Sequence, residues 1–302
     1  MLGQVFDAVV YHGLRKLRAA AALPSDTRWL DIPSGDRLCL RDSGGDLPPL
    51  IIATASPCGI AHYDAIYQRL RDRYRVIVFD MPGFGFSPPR MAYRHDLQDG
   101  ASAIRGLIET LELQQVTLVC SSINGLYALA ASRQLGTRLA RLVLLQTPDH
   151  GNMLAWFGRT TQTSIRTPMV GQYLNFVSRR RFPPAWFRVT LADRALHIPF
   201  SDMALRALEQ GACYCFASFV QGMRRTQAED ALLHAPPRLP VTVIWGGRDR
   251  THRHTDPASV RQHCPQADLV TFDQAGHFPD LEAPDAFAAI ISTPATAVAL
   301  AH

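Results

Sequence analysis

Short apolar runs alternate with amphipathic stretches along the first half of the chain. Four such runs end near turn or polar residues, and helical periodicity separates them in two places. This alternation predicts strands joined by crossover helices, and therefore a parallel sheet covered on both faces. The predicted strands are residues 50–53, 75–80, 116–120 and 141–146, and the predicted helices are residues 62–73 and 95–113.

The pattern changes on both sides of this block. Residues 29–32 and 37–41, separated by Pro33-Ser34-Gly35-Asp36, predict an antiparallel hairpin at the sheet edge. Residues 149 to 238 show helical segments and aromatic clusters without a convincing strand. Strands resume at 241–245 and 269–272, and a closing helix follows at 285–291. The expected fold class is α/β, a mostly parallel, twisted, eight-stranded sheet with helices on both faces and a helical cap insertion.

These boundaries divide the chain into three parts. We expect a core from residues 26–148 and 239–302, a helical cap from 149–238, and an N-terminal helical extension over 1–25. The extension is predicted to pack on the body or on a partner subunit. Its basic end leaves a membrane-surface helix as the alternative. Its apolar positions recur at helical spacing, namely Leu2, Phe6, Val9, Val10, Leu14 and Leu17, with Arg15, Lys16 and Arg18 following.

Composition excludes several classes of protein. The chain is 47% hydrophobic and 19% charged, which are globular values. No apolar run reaches the roughly 20 residues that a membrane span requires. The net charge is +5, but the basic residues are scattered apart from one short cluster at Arg179, Arg180 and Arg181. Without a basic stripe interleaved with aromatics, nucleic acid is not an expected partner.

Six cysteines are present, with no CxxC pair and no framework spacing. A chain of 302 residues buries a sizeable core without disulfides, so a reducing compartment is favoured. The N-terminus carries Asp7 and only short apolar runs, and it lacks the features of a signal peptide. We therefore expect a cytoplasmic protein.

The predicted strand at residues 116–120 runs directly into a helix through a turn that contains two serines. A serine on such a turn is exposed at the helix N-terminus and needs small residues two positions before and after it. Choosing Ser122 puts Cys120 and Asn124 at those positions, whereas choosing Ser121 puts the bulky Ile123 there. Ser122 is the candidate nucleophile, and an ordinary helix N-cap serine is the alternative.

An acid and a histidine follow later in the chain, each after a predicted strand. A serine hydroxyl becomes a nucleophile when an imidazole takes its proton, and a carboxylate orients that imidazole. Asp249 and His277 occupy such positions, in the chain order Ser-Asp-His known for one hydrolase fold. Asp149, after the strand at 141–146, is the less favoured choice of acid.

Three segments match motifs of a known family: Asp80-Met81-Pro82-Gly83-Phe84-Gly85-Phe86-Ser87, Trp245-Gly246-x-x-Asp249, and Gly276-His277-x-Pro279-x-Leu281-Glu282. With these motifs the chain resembles the α/β-hydrolase fold superfamily, in its serine-nucleophile branch with a helical cap. The resemblance covers nearly the whole chain apart from the first 25 or so residues and the insertion. It implies that Asp80 is structural and that no cofactor or metal is needed.

One segment departs from the family pattern. Members usually carry a His-Gly dipeptide after the third strand, and the next backbone N–H completes the oxyanion hole. Here Thr54-Ala55 replaces that dipeptide. By position, the N–H groups of Ser56 and Ile123 are the two implied donors, and a lost donor costs roughly a hundredfold or more in rate.

Other residues receive simpler interpretations. His252 and His254 form an HxH pair without a third ligand, so a solvated loop is expected there. Cys213 and Cys215, on a predicted helical stretch, belong to the core or line the pocket. Because pockets of this kind are largely apolar, some aromatics should face the substrate. The candidates are Trp156, Phe176, Trp186 and Phe278.

The sequence predicts a serine hydrolase that cleaves an ester, thioester or related acyl bond through an acyl-enzyme on Ser122. A carbon–carbon bond hydrolase of the ring-fission-product type is the enzymatic alternative. It needs a cap arginine, for which Arg188 or the cluster of Arg179, Arg180 and Arg181 is available. A lyase, a cyclase or a ligand-binding protein on the same scaffold is the third option. The expected partners are a small acyl substrate and an acidic carrier at the cap; acyl length and oligomeric state are not fixed by the sequence.

Overall fold

The computed structural model describes residues 2–17, 26–226, 233 and 237–293. The strands are β1 Thr27–Asp31, β2 Arg37–Asp42, β3 Pro49–Ala53, β4 Arg75–Phe79, β5 Phe84–Gly85, β6 Val116–Ser121, β7 Leu139–Leu145, β8 Cys213–Tyr214, β9 Val241–Gly246 and β10 Asp268–Phe272. The helices are α1 Leu2–Leu17, α2 Asp64–Leu70, α3 Leu97–Thr110, α4 Ile123–Leu135, α5 His150–Thr160, α6 Thr163–Arg166, α7 Val170–Ser178, α8 Phe182–Thr190, α9 His197–Glu209, α10 Phe216–Met223, α11 Pro279–Glu282 and α12 Pro284–Ser292.

Eight strands form one sheet in the order β1-β2-β4-β3-β6-β7-β9-β10. The pairs β1–β2 and β2–β4 are antiparallel, and every other pair is parallel. The predicted fold class is therefore confirmed. Since β3, β6, β7, β9 and β10 run in the same direction, the loops after them lie along one edge of the sheet, where ligands bind in open α/β sheets.

The central strands are buried because helices cover both faces. Alternate residues of β3 point to opposite sides: Ile51 packs with Ile104 of α3, and Ile52 packs with Ile66 of α2 and Phe287 of α12. This two-sided burial explains why the parallel strands are continuous apolar runs rather than alternating ones.

The chain leaves the sheet after β7 and returns at β9, which pairs with β7. Helices α5 to α10 lie between them. One prediction about this segment is wrong: Cys213–Tyr214 is a two-residue strand, not helix, and pairs antiparallel with Phe84–Gly85 of the core. A strand of two residues is too short to produce a periodicity in the sequence. A 3₁₀ helix, Pro257–Gln262, connects β9 and β10.

Helix α1 packs against α7 and α10 rather than on the sheet. The Tyr11 hydroxyl donates to the Tyr214 carbonyl oxygen at 3.1 Å, and the Ser218 hydroxyl donates to Asp7 at 2.6 Å. The rest of the predicted extension, residues 18–25, lies outside the described residues. None of the helices in the described ranges is long and apolar enough to cross a membrane. All six cysteines are buried thiols.

Candidate active site

Ser122 sits at the turn between β6 and α4 in a strained backbone conformation. Its φ is 53° and its ψ is −126°, a region that residues other than glycine seldom adopt. The turn is held by two hydrogen bonds: the Ser122 N–H donates to the Leu145 carbonyl at 2.6 Å, and the Thr147 hydroxyl donates to the Ser122 carbonyl at 2.9 Å. Its side chain makes no helix-capping bond, so the N-cap alternative lacks its defining contact.

The residues around Ser122 show why this turn is tight. A Cβ atom on Gly125 would lie 2.1 Å from the Thr147 hydroxyl, so only glycine fits there. Asn124 occupies a position where the family motif has glycine, and its side-chain amide donates to the Thr54 carbonyl at 3.0 Å. The departure from the motif at Asn124 thus adds a bond between the serine turn and the loop after β3.

The histidine and the acid lie on the loops after β10 and β9. His277 Nδ1 donates to Asp249 Oδ2 at 2.6 Å. Gln146, at the end of β7, donates to the same oxygen at 2.6 Å, and Thr251 donates to Oδ1 through its N–H at 2.8 Å and its hydroxyl at 2.7 Å. The His277 N–H donates to the Thr190 carbonyl of α8 at 2.8 Å. Both side chains are therefore fixed in orientation.

Asp249 is kept ionised by its neighbours. Burial of the carboxyl works to raise its pKa, but the electrostatic interaction and the hydrogen bond with the His277 ring outweigh burial and hold the pKa well below its usual range. Ser122 and His277 line the same pocket. Among the described residues, the Ser122 hydroxyl makes no hydrogen bond, an open geometry that is common before substrate binds.

His252 lies beside this pair, and the prediction of a solvated loop is wrong for it. The ring is 2% exposed and stacks on Trp156, with centroids 4.7 Å apart, and on His277, with centroids 5.3 Å apart. Burial, followed by the charge of His277, lowers the pKa of His252 to about 3. Ligand atoms of Asp249, His252 and His277 lie within 4.8 Å of one another, but Asp249 and His277 already bond each other, and we assign no metal there.

The loop that replaces His-Gly is anchored by side chains. The Thr54 hydroxyl donates to Asp80 Oδ1 at 2.8 Å, and the Ala55 N–H donates to the Tyr63 hydroxyl at 3.1 Å. Burial raises the pKa of Asp80 to about 7. Ser56 and Ile123 both line the pocket, and neither N–H bonds to another described residue. The N–H groups of Ser56 and Ile123 are therefore available to a ligand, whereas the Ala55 N–H is already bonded to the Tyr63 hydroxyl.

The pocket is bounded by the sheet loops on one side and the cap on the other. His277 is the only ionisable side chain among the described residues that line it. Cap helices α5, α8 and α10 and the short strand β5 supply its apolar wall. The aromatic residues of this wall are Phe84, Trp156, Phe157, Phe182, Trp186, Phe216 and Phe219.

Two predicted pocket residues lie elsewhere. Phe176 faces α1, with its ring 6.3 Å from that of Tyr11, because the inner face of α7 packs on α1 and α10. Phe278 is 1% exposed and packs behind the histidine, 5.9 Å from the ring of Phe187. Phe182, Phe216 and Phe219 also line the pocket but were not predicted from the sequence; the only signal for them was the richness of this segment in aromatic residues.

The remaining candidates have structural contacts. Asp149 caps α5, where its Oδ1 accepts from the Asn152 N–H at 3.0 Å, and His277 bonds Asp249 instead. In the arginine cluster, Arg179 lies over the Phe176 ring at 4.0 Å and Arg180 pairs with Glu209 at 3.3 Å. Neither these arginines nor Arg188 lines the pocket.

Comparison with known proteins supplies the family. The model of the alpha/beta hydrolase family matches residues 53–290. The chain is 26% identical over 272 residues to 2-hydroxymuconate semialdehyde hydrolase from Pseudomonas sp. (strain CF600), covering 86% of this chain and 90% of that one. It is 26% identical over 281 residues to haloalkane dehalogenase 2 from Mycobacterium tuberculosis (strain ATCC 25618 / H37Rv), covering 89% and 94%.

Among solved structures, epoxide hydrolase A from Mycobacterium thermoresistibile superposes with a TM-score of 0.73 at 16% identity, over 88% of this chain and 96% of that one. At this identity the likeness shows the fold alone. The names of these three proteins indicate three different substrates, so the comparisons do not identify the bond that this chain cleaves.

Proposed function

The chain belongs to the alpha/beta hydrolase family and is a hydrolase, and from that premise we propose that it cleaves an ester, thioester or related acyl bond through an acyl-enzyme on Ser122. One observation carries the proposal. The Asp249–His277 hydrogen bond of 2.6 Å lies at the same pocket as a serine held in a strained turn. A dehalogenase or an epoxide hydrolase with an aspartate nucleophile would need a carboxylate where Ser122 stands.

In the proposed acylation step, His277 Nε2 takes the proton of the Ser122 hydroxyl as the oxygen attacks the substrate carbonyl. Asp249 stabilises the resulting imidazolium and holds the ring in the tautomer that presents Nε2 to the serine. The N–H groups of Ser56 and Ile123 receive the negative charge on the carbonyl oxygen. His277 then gives the proton to the leaving group, and the acyl group stays on Ser122.

Deacylation reverses these roles with water as the nucleophile. His277 takes a proton from the water, the hydroxide attacks the acyl carbonyl, and the Ser122 oxygen leaves with the proton from His277. The anchored loop supports both steps, since Asn124 and Asp80 hold Thr54 while Tyr63 holds Ala55. Donors fixed before the substrate arrives stabilise the oxyanion without reorganisation.

The pocket lining favours a neutral acyl group over a carboxylated one. A carbon–carbon bond hydrolase acting on ring-fission products needs a cation for the substrate carboxylate. Among the described lining residues the only ionisable side chain is His277, and seven of the other lining residues are aromatic. A buried carboxylate without a paired cation is costly, so we place the carbon–carbon bond hydrolase second. If esters are not turned over, a lyase, a cyclase or a ligand-binding protein is the remaining alternative.

The test is turnover of p-nitrophenyl acetate by the wild type and by Ser122→Ala. Loss of the nucleophile should lower kcat by about a thousandfold or more. Ser121→Ala is the matched control, since it removes the neighbouring hydroxyl and should keep kcat within about tenfold of the wild type. A wild type without ester turnover, or a Ser122→Ala variant that retains it, refutes the proposal.

A further inference from the structure

Exposed large apolar side chains are concentrated on two neighbouring helices. Eleven such side chains are exposed in the described residues, and seven of them lie on α1 or on α7 and the residue before it. Monomeric proteins scatter exposed apolar residues singly, whereas a contiguous group marks a binding surface. We call this group the α1–α7 surface; its residues are Leu2, Val5, Val9, Met169, Val170, Tyr173 and Val177.

The two helices present these residues on one side of the molecule. Ser218 of α10 bonds both Asp7 of α1 and Gln172 of α7, so the two helices lie side by side with their inner faces on α10. Val5 and Val9 are on the outer face of α1. On α7 the exposed positions recur at helical spacing, three and four residues apart. The exposed stripes therefore form one surface rather than two.

The segments that carry this surface are basic, and one acid from α9 lies beside them, where Glu209 pairs with Arg180 at 3.3 Å. Residues 2–17 and 162–181 contain a single acidic residue, Asp7, which is buried against Ser218. The basic residues of these segments lie towards the helix ends and in the short helix α6. They are Arg15 and Lys16 in the last turn of α1, Arg166 in α6, and Arg179, Arg180 and Arg181 after α7.

We propose that the α1–α7 surface docks on an anionic lipid membrane, with the apolar stripes entering the boundary between headgroups and acyl chains. A helix that is apolar on one face and basic at its end binds in this way, and each basic residue near the surface adds attraction to anionic lipid. Tyr173 suits the same boundary, because its ring is apolar and its hydroxyl stays in water. A second copy of the chain is disfavoured, since it would bring a rim of like charge, and the acid beside that rim, Glu209, is already paired with Arg180.

The proposed docking surface includes α7 of the cap as well as α1. Here α1 is fixed to the cap by Tyr11 and Asp7, so docking would hold the cap, and not a free N-terminal arm, against the lipid. The proposal is independent of the reaction at Ser122, because none of the surface residues lines the active-site pocket.

The experiment is co-sedimentation of the full chain with vesicles of phosphatidylcholine alone or with added phosphatidylglycerol. We expect the wild type to bind the anionic vesicles. Its binding to neutral vesicles, and the binding of the double variant Val9→Asn/Tyr173→Asn to anionic vesicles, should each be weaker by about tenfold or more. Ile198→Asn is the matched control, because Ile198 is 73% exposed but lies on α9, which packs on α8. Arg181→Gln should weaken binding by about fivefold at low salt and less at high salt.

Turnover of a water-soluble ester in the absence of vesicles checks that each variant is folded, and it separates failure of this proposal from failure of the proposed reaction. The proposal is overturned if the wild type does not sediment with anionic vesicles, if the double variant binds like the wild type, or if neutral and anionic vesicles bind equally. Light scattering that finds a dimer which the double variant dissociates, without vesicle binding, assigns the surface to a second copy instead.

Discussion

The two walls of the active-site pocket are built differently. On the sheet side, Asp249, His277 and Thr54 each make hydrogen bonds that fix their position, with Gln146 directly after β7 and Asn124 in the first turn of α4 among the partners. On the cap side the wall is aromatic, and the indole N–H of Trp156 is buried without a hydrogen-bond partner among the described residues. Directional bonds set positions closely, whereas apolar contacts tolerate changes of shape. We therefore expect the reaction to depend on the sheet side and the choice of substrate to depend on the cap.

Trp156 crosses this division. It belongs to α5 of the cap, yet its ring stacks on His277 with centroids 5.6 Å apart and on His252 with centroids 4.7 Å apart. The cap also contacts His277 through the ring of Trp186, with centroids 6.0 Å apart, and through the Thr190 carbonyl, which accepts from the backbone N–H of His277 at 2.8 Å. Changes at the other aromatic residues of the cap wall are therefore the cleaner test of how the two sides differ.

The largest effect is expected from the acid on the sheet side. Asp249→Asn removes the countercharge and the tautomer control of His277, and should lower the acylation rate by about a thousandfold to ten-thousandfold. Pre-steady-state release of p-nitrophenol measures it. Asp149→Asn is the control, because that carboxylate caps α5 and should affect acylation by less than about tenfold. A larger loss in Asp149→Asn would move the acid to the loop after β7.

A smaller loss is expected when the loop after β3 loses its bond to the serine turn. Asn124→Ala leaves the Thr54 carbonyl without the donor now at 3.0 Å. The Ser56 donor then loses its fixed position, and we expect kcat to fall by about tenfold to a hundredfold with KM little changed. Steady-state kinetics on a short ester measure kcat and KM separately. A rise in KM at constant kcat would show that Asn124 acts in substrate binding.

Asp280, on α11 behind the histidine loop, is a buried carboxyl whose ionisation should lower the stability of the sheet side. Its carboxyl oxygens have no hydrogen-bond partner among the described residues, and burial raises its pKa to about 7 from the unfolded value of 3.8. The folded chain holds a proton that the unfolded chain releases, so the wild type loses stability as the pH rises from about 4 to about 7.

Asp280→Asn carries no such charge and should be more stable than the wild type by about 4 kcal/mol at pH 8. Near pH 3 the two proteins should be about equally stable, since the Asp280 carboxyl is then neutral in the folded chain and largely neutral in the unfolded chain. Denaturant unfolding at the two pH values measures the difference. A variant that is less stable than the wild type at pH 8 would mean that the carboxylate is bonded in the native protein.

The smallest effect is expected from the cap wall. Phe216→Leu enlarges the pocket, and the ratio of kcat/KM for a longer acyl ester over acetate should rise by about threefold to tenfold. Phe176→Leu is the control, because Phe176 faces α1 and should leave the ratio unchanged. If Phe216→Leu lowers turnover of all esters equally, the cap wall takes part in the reaction and the division between the two sides is wrong.

The sequence carries more information about the sheet side than about the cap. Ser122, Asp249 and His277 follow strands whose apolar runs are distinct, and turn residues mark the loops that hold them. The direction of a side chain on a cap helix depends on which helix it meets. Phe176 therefore faces α1, and Phe219, which the sequence did not single out, lines the pocket. His252 is buried by Trp156, a partner that no local pattern connects to it.

The most direct test of the central claim is to label the protein with a fluorophosphonate and to map the modified peptide by mass spectrometry. We predict one adduct, on Ser122, because our proposal makes its hydroxyl the nucleophile and its strained turn lies at the pocket that His277, Ser56 and Ile123 also line. An adduct on Ser121 or Ser87, or labelling that survives in Ser122→Ala, would contradict it.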